Sequence, residues 1–425
     1  MSKERSSIHH ADLSREERDV VERYTRKREI KVICCTTTLA LGVNFPASTV
    51  FLDPHKWEYN EQTDSLILSP MSWAEYENIS GRAGRLGYDM DFGRSIIVAT
   101  SDYEFQMLWQ NYIEGEEEVL TSKLNNKGLE NHLITILASG EAKTREEIED
   151  FLFNTYMGVT EEKEAIRENL DKSLRFLLKH RLIEQGHEEE IRVSALGSVV
   201  ATKGISCLTA IQLAWFLREA REGAVSDLEI LHAAASTDDG RRIYIQMAKS
   251  EHVSGKYEKI VREIFSGQED YIGTLLSKVV KSQFLLTKSS AKNLKLALLL
   301  ERWIQGKDTP TLERDFESYY GTIASAAESM SWIVDAAIAV AQVMRVPNPL
   351  QKRLATLSDR LLFGVEESGF ELARLRARGL GRAGIKRLIF EGFDTVKAIQ
   401  EAPLPLLARV IHEQIAINLK QAAEP

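Results

Sequence analysis

The stretch ENISGRAGRL, Glu77 to Leu86, sets Arg82 and Arg85 three residues apart among small residues. Glycine lets a backbone come close to a bound group, and two guanidiniums on so short a tether can meet one polyanion bidentately. Taken alone, the string reads equally well as a basic surface turn. A second string precedes it, CCTTTLALGVNFPA from Cys34 to Ala47. There Thr36, Thr37 and Thr38 directly follow a buried-strand candidate, Lys31 to Cys35, and Gly42 and Asn44 come before a proline. Hydroxyls and backbone N–H groups at the C-terminal end of a strand in an α/β sheet are where ligands sit, and they suit phosphate or sugar. An ordinary strand-to-helix turn explains this second string about as well.

The chain has 425 residues, too many for one ordinary core, which predicts roughly two to four domains. Its 44% hydrophobic and 28% charged residues are the proportions of globular protein with real cores. The first residues are rich in Lys, Arg, Glu and Asp, which excludes a secretory apolar segment there. WIVDAAIAVAQVM, the nearest approach to a membrane span, is interrupted by Asp335, so the expected location is cytoplasmic. Three cysteines, two of them adjacent, make neither a disulfide framework nor a CxxC metal pair, and Cys34 and Cys35 read as strand residues.

A net charge of −9 argues against wholesale nucleic-acid binding, which needs cations to neutralise phosphates. The local distribution argues the other way. From Glu371 to Leu388 six basic residues (Arg374, Arg376, Arg378, Arg382, Lys386, Arg387) face one acid.

Along the chain the pattern is α/β at first and then mostly α. A helix over SREERDVVERYTRK, with Ser14 as its N-cap, precedes the Lys31–Cys35 strand, and TVFLD and RSIIVAT are further strand candidates. DPHKWEYNEQTDSLILSP, between Leu52 and Pro70, predicts a β-hairpin. Three helix candidates, Lys127 to Ser139, Thr144 to Tyr156 and Glu161 to His180, then lead into a short hairpin, the order of a winged helix. Long helical patterns follow to Leu361, and a compact helical end closes the sequence.

With IHHADLSREERDVVE upstream, the two strings resemble motifs V and VI of superfamily 2 DEAD/DEAH-box helicases, especially the superkiller-type branch: Thr36 to Ala47 matches motif V and Tyr76 to Arg85 motif VI. The resemblance implies the second RecA-like domain, with Arg82 and Arg85 as catalytic residues reaching the terminal phosphates of ATP. It puts Gly42, Asn44, Asn78 and Gly81 beside the nucleotide, with Thr36 and Gly42 toward nucleic acid and coupling. Asn78 stands where the family has glutamine. The adjacent His9 and His10 look like ligands but are expected to pack or to contact nucleic acid. No G-x-x-x-x-G-K-[ST] phosphate loop and no Asp-Glu box occur here. Those belong to a first RecA-like domain, so ATP and Mg²⁺ are expected only in a complete enzyme, with that domain coming from another chain or a longer product.

The downstream order resembles Hjm-type repair helicases, which unwind DNA from 3′ to 5′. It implies a partial second RecA-like helicase domain over 1–115, a winged helix over 116–203, a helical ratchet domain over 204–360 and a helix-hairpin-helix module over 361–425. Trp57 and Tyr59 fall on the hairpin that splits the duplex in that family. Trp332 falls where the ratchet helix stacks a base, although Ser325 replaces an arginine found seven residues earlier; a core tryptophan is the other reading. In RARGLGRAGIKRL, Gly379 and Gly381 would turn N–H groups toward a phosphate, with Arg376, Arg378 and Arg382 supplying attraction. Ile385 replaces a small residue there. The functions implied are part of an ATP-dependent DNA helicase, with single-stranded or forked DNA as partner and no membrane, or alternatively a noncatalytic DNA-binding remnant or a superkiller-type RNA helicase.

Overall fold

The computed structural model describes residues 6–10, 13, 15–36, 47–60, 65–84, 92–115, 122, 124, 128–187, 189–220, 225–266, 274–281 and 285–424. They fall into two compact units, Met1–Leu120 and Thr121–Pro425. Ser14, Thr37, Thr38, Gly42, Asn44 and Arg85 lie outside the described residues.

In the first unit β1 (Ser6–His9), α1 (Arg15–Arg26) and β2 (Val32–Cys35) form a crossover that pairs the two strands in parallel, Ser6 opposite Val32 and His9 opposite Cys35. The buried strand expected at Lys31 to Cys35 is corrected: Val32 is 56% exposed and both cysteines are exposed. Among the described residues β2 pairs only with β1. His9, by contrast, is buried with Nε2 3.7 Å from Glu22, which makes it a packing residue.

β3 (Thr49–Leu52) pairs in parallel with β6 (Arg94–Ile97), realising the TVFLD and RSIIVAT expectations. Between them β4 (His55–Asn60) and β5 (Ser65–Pro70) form the antiparallel hairpin. α2 (Trp73–Ser80) starts at a capping box in which Ser72 and Glu75 satisfy each other's backbone N–H groups. α3 (Asp102–Leu108) runs on into a π-helical turn. A small core of Leu52, Met71, Tyr76 and Tyr112 holds these pieces, with the Tyr112 hydroxyl donating to the Met71 carbonyl at 2.7 Å.

The second unit opens with α4 (Leu129–Ser139), α5 (Arg145–Phe153), α6 (Tyr156–Thr160) and α7 (Lys163–Lys179). The hairpin β7 (Ile183–Gln185) and β8 (Ile191–Val193) then leads to α8 (Ala195–Lys203), the winged-helix order. The single helix expected from Thr144 to Tyr156 is broken at Asn154.

The helical region comprises α9 (Cys207–Glu219), α10 (Asp227–Ala235), α11 (Asp238–Arg242), α12 (Lys249–Val253) and α13 (Lys256–Ile264). It continues through α14 (Thr274–Lys281), α15 (Lys288–Ile304), α16 (Thr309–Phe316), α17 (Tyr320–Val343) and α18 (Asn348–Phe363). Last come α19 (Phe370–Arg374), α20 (Arg382–Phe390), α21 (Val396–Glu401), α22 (Leu404–Val410) and α23 (Glu413–Ala422).

One hydrophobic cluster runs from Leu129 to Leu361, and Val199, Val200, Ile205 and Cys207 carry it across the boundary expected at 203. A second cluster, Val365 to Ala423, belongs to the C-terminal helices alone. α17 is long and apolar enough by composition to cross a membrane, contrary to the expectation from sequence. It is nevertheless a core helix: Ile323, Met330, Ile333, Val334 and Val340 are fully buried.

Candidate nucleic-acid and nucleotide interface

The two opening motifs meet through their backbones. Ala47, at the end of the first, donates to the Arg82 carbonyl at 3.0 Å and accepts from the Gly84 N–H at 2.9 Å. This parallel bridge fixes Arg82 at the N-terminal end of β3, next to α2, where Asn78 is exposed and Gly81 caps the helix. Gly84 has φ +64°, and a Cβ there would lie 2.3 Å from the Gly93 nitrogen; a Cβ on Gly93 would collide with Ala83 in return. Gly84 is therefore required by the close approach of two chain segments, a different reason from the ligand approach inferred from the sequence. Thr36 follows β2 directly, its N–H donating to the His9 carbonyl at 3.3 Å.

The hairpin presents Trp57, 68% exposed, directly across from Leu68. Tyr59 is a residue of the same strand, and its side chain lies outside the described features. On the other face, Lys56 bonds Glu58 at 2.6 Å and Glu75 at 2.7 Å, tying the hairpin to α2. Burial pushes the Lys56 ammonium down, but its bonds to the two carboxylates outweigh this and hold it above the ordinary lysine value. The geometry thus leaves an aromatic face open on a hairpin anchored to the helix that carries Asn78.

In the second unit Trp332 stands on α17, one turn-pair beyond exposed Ser325 on nearly the same face. The indole is 39% exposed, which excludes the core reading, and its Nε1–H donates to the Lys203 carbonyl at 2.7 Å. Lys203 also reaches Asp335 at 2.6 Å. Lys203 does not stand out in the sequence; the signal for it is Asp335, a lone acid in an apolar run, three residues from Trp332 and in need of a cation.

At the C-terminus α19, the Gly379-Leu380-Gly381 turn and α20 form a short helix-hairpin-helix. Gly379 has φ +82°, and Gly381 is the N-cap of α20 with space around it. Arg376 and Arg378 are exposed beside the turn. Arg382 is a correction: its guanidinium donates to the carbonyls of Gly364 (3.0 Å), Trp303 (3.1 Å) and Lys307 (2.7 Å) and lies over the Trp303 ring. Burial pushes it below the usual arginine value. Lys386 is likewise committed to the Gly306 carbonyl, and Arg374 to Asp359. Half of the basic run fastens the module to the helices before it, because an arginine beside unsatisfied helix-end carbonyls is a donor for them. Ile385, flagged as a departure, is simply buried in the module core.

Comparison with known families agrees with this order. Residues 2–87 match the helicase conserved C-terminal domain, 96–184 a helix-turn-helix domain, and 228–364 the archaeal helicase domain 4. The chain is 27% identical over 421 residues to the ATP-dependent DNA helicase Hel308 of Methanocella arvoryzae, covering 97% of this chain and 54% of that protein. It thus spans about half the length of the curated relative it matches. With matches to these three domains in succession, the chain is homologous to the C-terminal part of that DNA helicase.

Proposed function

We propose that this chain supplies the DNA-gripping and arginine-bearing part of an ATP-dependent helicase that translocates 3′ to 5′ along single-stranded DNA in repair or recombination, in the cytoplasm. Arg82 and Arg85 act on the terminal phosphates of ATP-Mg²⁺ that a first RecA-like domain holds, with Gly42, Asn44, Asn78 and Gly81 on the nucleotide side. Thr36, Trp57, Tyr59, Trp332, Arg376, Arg378, Gly379 and Gly381 contact single-stranded or forked DNA. The observation that carries the reading is the part-exposed indole of Trp332 on the open face of a helix whose other face is packed into the core, since stacking on an aromatic grips every base alike.

The test is nucleotide hydrolysis and DNA binding by the purified chain, with and without a related first RecA-like domain. These residues alone are expected to bind DNA and to hydrolyse no ATP, and the added domain to confer DNA-stimulated hydrolysis. DNA binding that never becomes coupled to hydrolysis would leave a noncatalytic DNA-binding protein. Preference for RNA over DNA would favour the superkiller-type alternative.

A further inference from the structure

A single residue of another helix, Lys203, bonds both Trp332 and its neighbour on α17, Asp335. Lys203 ends α8, so its carbonyl is one of the acceptors that a helix terminus leaves without an intrahelical partner. The N–H four residues on, that of Cys207, donates instead to the Asn131 side chain. The Lys203 carbonyl accepts from the Trp332 indole at 2.7 Å, while its Nζ bonds Asp335, three residues further along α17, at 2.6 Å. Gly204 sets the direction of that carbonyl: it terminates α8 with φ +68°, a conformation that favours glycine.

We propose that Lys203 is a positioning residue, clamping the indole of Trp332 in one rotamer so that its open face is ready for a base; this rests on the reading of Trp332 as the stacking residue. Two bonds from one residue to two positions on the same face of α17 oppose both rotation of the ring and drift of the helix. A preorganised ring loses less freedom on binding than a mobile one, so the clamp contributes to grip without touching DNA. It also means that the last helix of the winged-helix segment sets the strength of a contact made on a different helix.

The test measures binding of a labelled oligo-dT by the full chain across a range of salt, together with time-resolved anisotropy of Trp332 in variants that keep it as the sole tryptophan. Trp332→Ala is expected to weaken binding about 10-fold. Trp332→Phe keeps an aromatic face but has no N–H, and is expected to bind within about 3-fold of the alanine variant because its ring is unclamped. Lys203→Met keeps the carbonyl that accepts from the indole but removes its tether to Asp335, and is expected to speed local indole motion modestly in the DNA-free protein and to weaken binding by up to about 3-fold at an unchanged salt slope. A slope reduced by about 0.7 would make Lys203 a phosphate contact and overturn the proposal. Trp332→Phe binding like the parent, with Trp332→Ala weakened, would overturn the clamp alone. Unaltered binding by folded Trp332→Ala would overturn the stacking reading and the clamp with it.

Discussion

The guanidinium of Arg382 lies 3.9 Å from the ring centroid of Trp303, and the indole N–H of Trp303 in turn donates to the Leu361 carbonyl at 2.9 Å. These contacts join α15, the end of α18 and the start of α20 through one cation and one ring. Removing the guanidinium would take a donor from the Gly364 and Lys307 carbonyls and the cation from the ring, while the Trp303 carbonyl keeps the Gly306 N–H. Arg382→Ala is therefore expected to cost about 3 kcal/mol and to let the C-terminal helices melt ahead of the rest in calorimetry. Arg382→Lys should rescue little, because an ammonium cannot reproduce the fork geometry. Weaker DNA binding with an unchanged melting profile would show instead that this side chain serves DNA.

Arg376 and Arg378 should behave in the opposite way. Both are exposed at the hairpin turn, and the Arg378 carbonyl is held by Asn418 at 2.9 Å, which fixes the turn itself. Replacing each by alanine is expected to leave the melting temperature within a degree or two and to weaken DNA binding uniformly across sequences. The salt slope should fall by about 0.7 to 0.9 per arginine. Binding isotherms at several salt concentrations check this, and two variants with the parental slope would remove the turn from the interface.

The contrast between these arginines shows where sequence reading succeeds and where it stops. The order of elements was legible because periodicity and turn residues are local: α7, the β7–β8 hairpin and the β4–β5 hairpin all lie where the pattern put them. The run from Arg374 to Arg387 was legible as charge but not as two populations. Which cation faces solvent depends on whether helix ends at Trp303 to Lys307 and at Gly364 come within reach, and that is a tertiary fact. The glycines of GRAGR were read for the right property, close backbone approach, but the neighbour that crowds Gly84 is Gly93 of the same chain and no bound group. The exposure of β2 could not be read at all: an apolar run signals a strand, while its burial depends on which layers surround it.

His232, on α10, is buried in the second unit, and burial alone pushes its pKa down to about 4. An unfolded histidine titrates near 6.5. Between these values the unfolded chain binds the proton and the folded chain does not, so stability is intact above about pH 6.5 and is lost as pH falls toward 4. The loss between pH 7 and pH 5 from this residue is expected to be about 2 kcal/mol. Urea unfolding at the two pH values measures it, with His232→Gln as the control that should flatten the difference. A pH dependence identical in the variant would assign the effect to other groups.

Arg82 is the residue on which the catalytic reading stands or falls. The backbone bridge to Ala47 pins its main chain between the two motifs, so a shift in either one moves the base of the guanidinium. A cation presented from so short a turn stabilises charge on a transferring phosphoryl group only when another surface fixes the nucleotide and its metal opposite. Once a related first RecA-like domain supplies that surface, arginines acting in this way contribute roughly 10³- to 10⁵-fold to turnover. Arg82→Ala and Arg85→Ala are expected to lose most of the DNA-stimulated hydrolysis of the reconstituted enzyme. Affinity for single-stranded DNA should stay within about 2-fold, because the contacts assigned to Trp332, Arg376 and Arg378 belong to the other unit and to separate stacking and phosphate terms. Arg82→Lys should resemble alanine more than arginine, since a point charge cannot bridge two phosphate oxygens in plane. Steady-state hydrolysis and oligonucleotide binding on the same preparations decide the matter: full turnover in both alanine variants, or a loss confined to DNA binding, would make GRAGR a basic turn and nothing more.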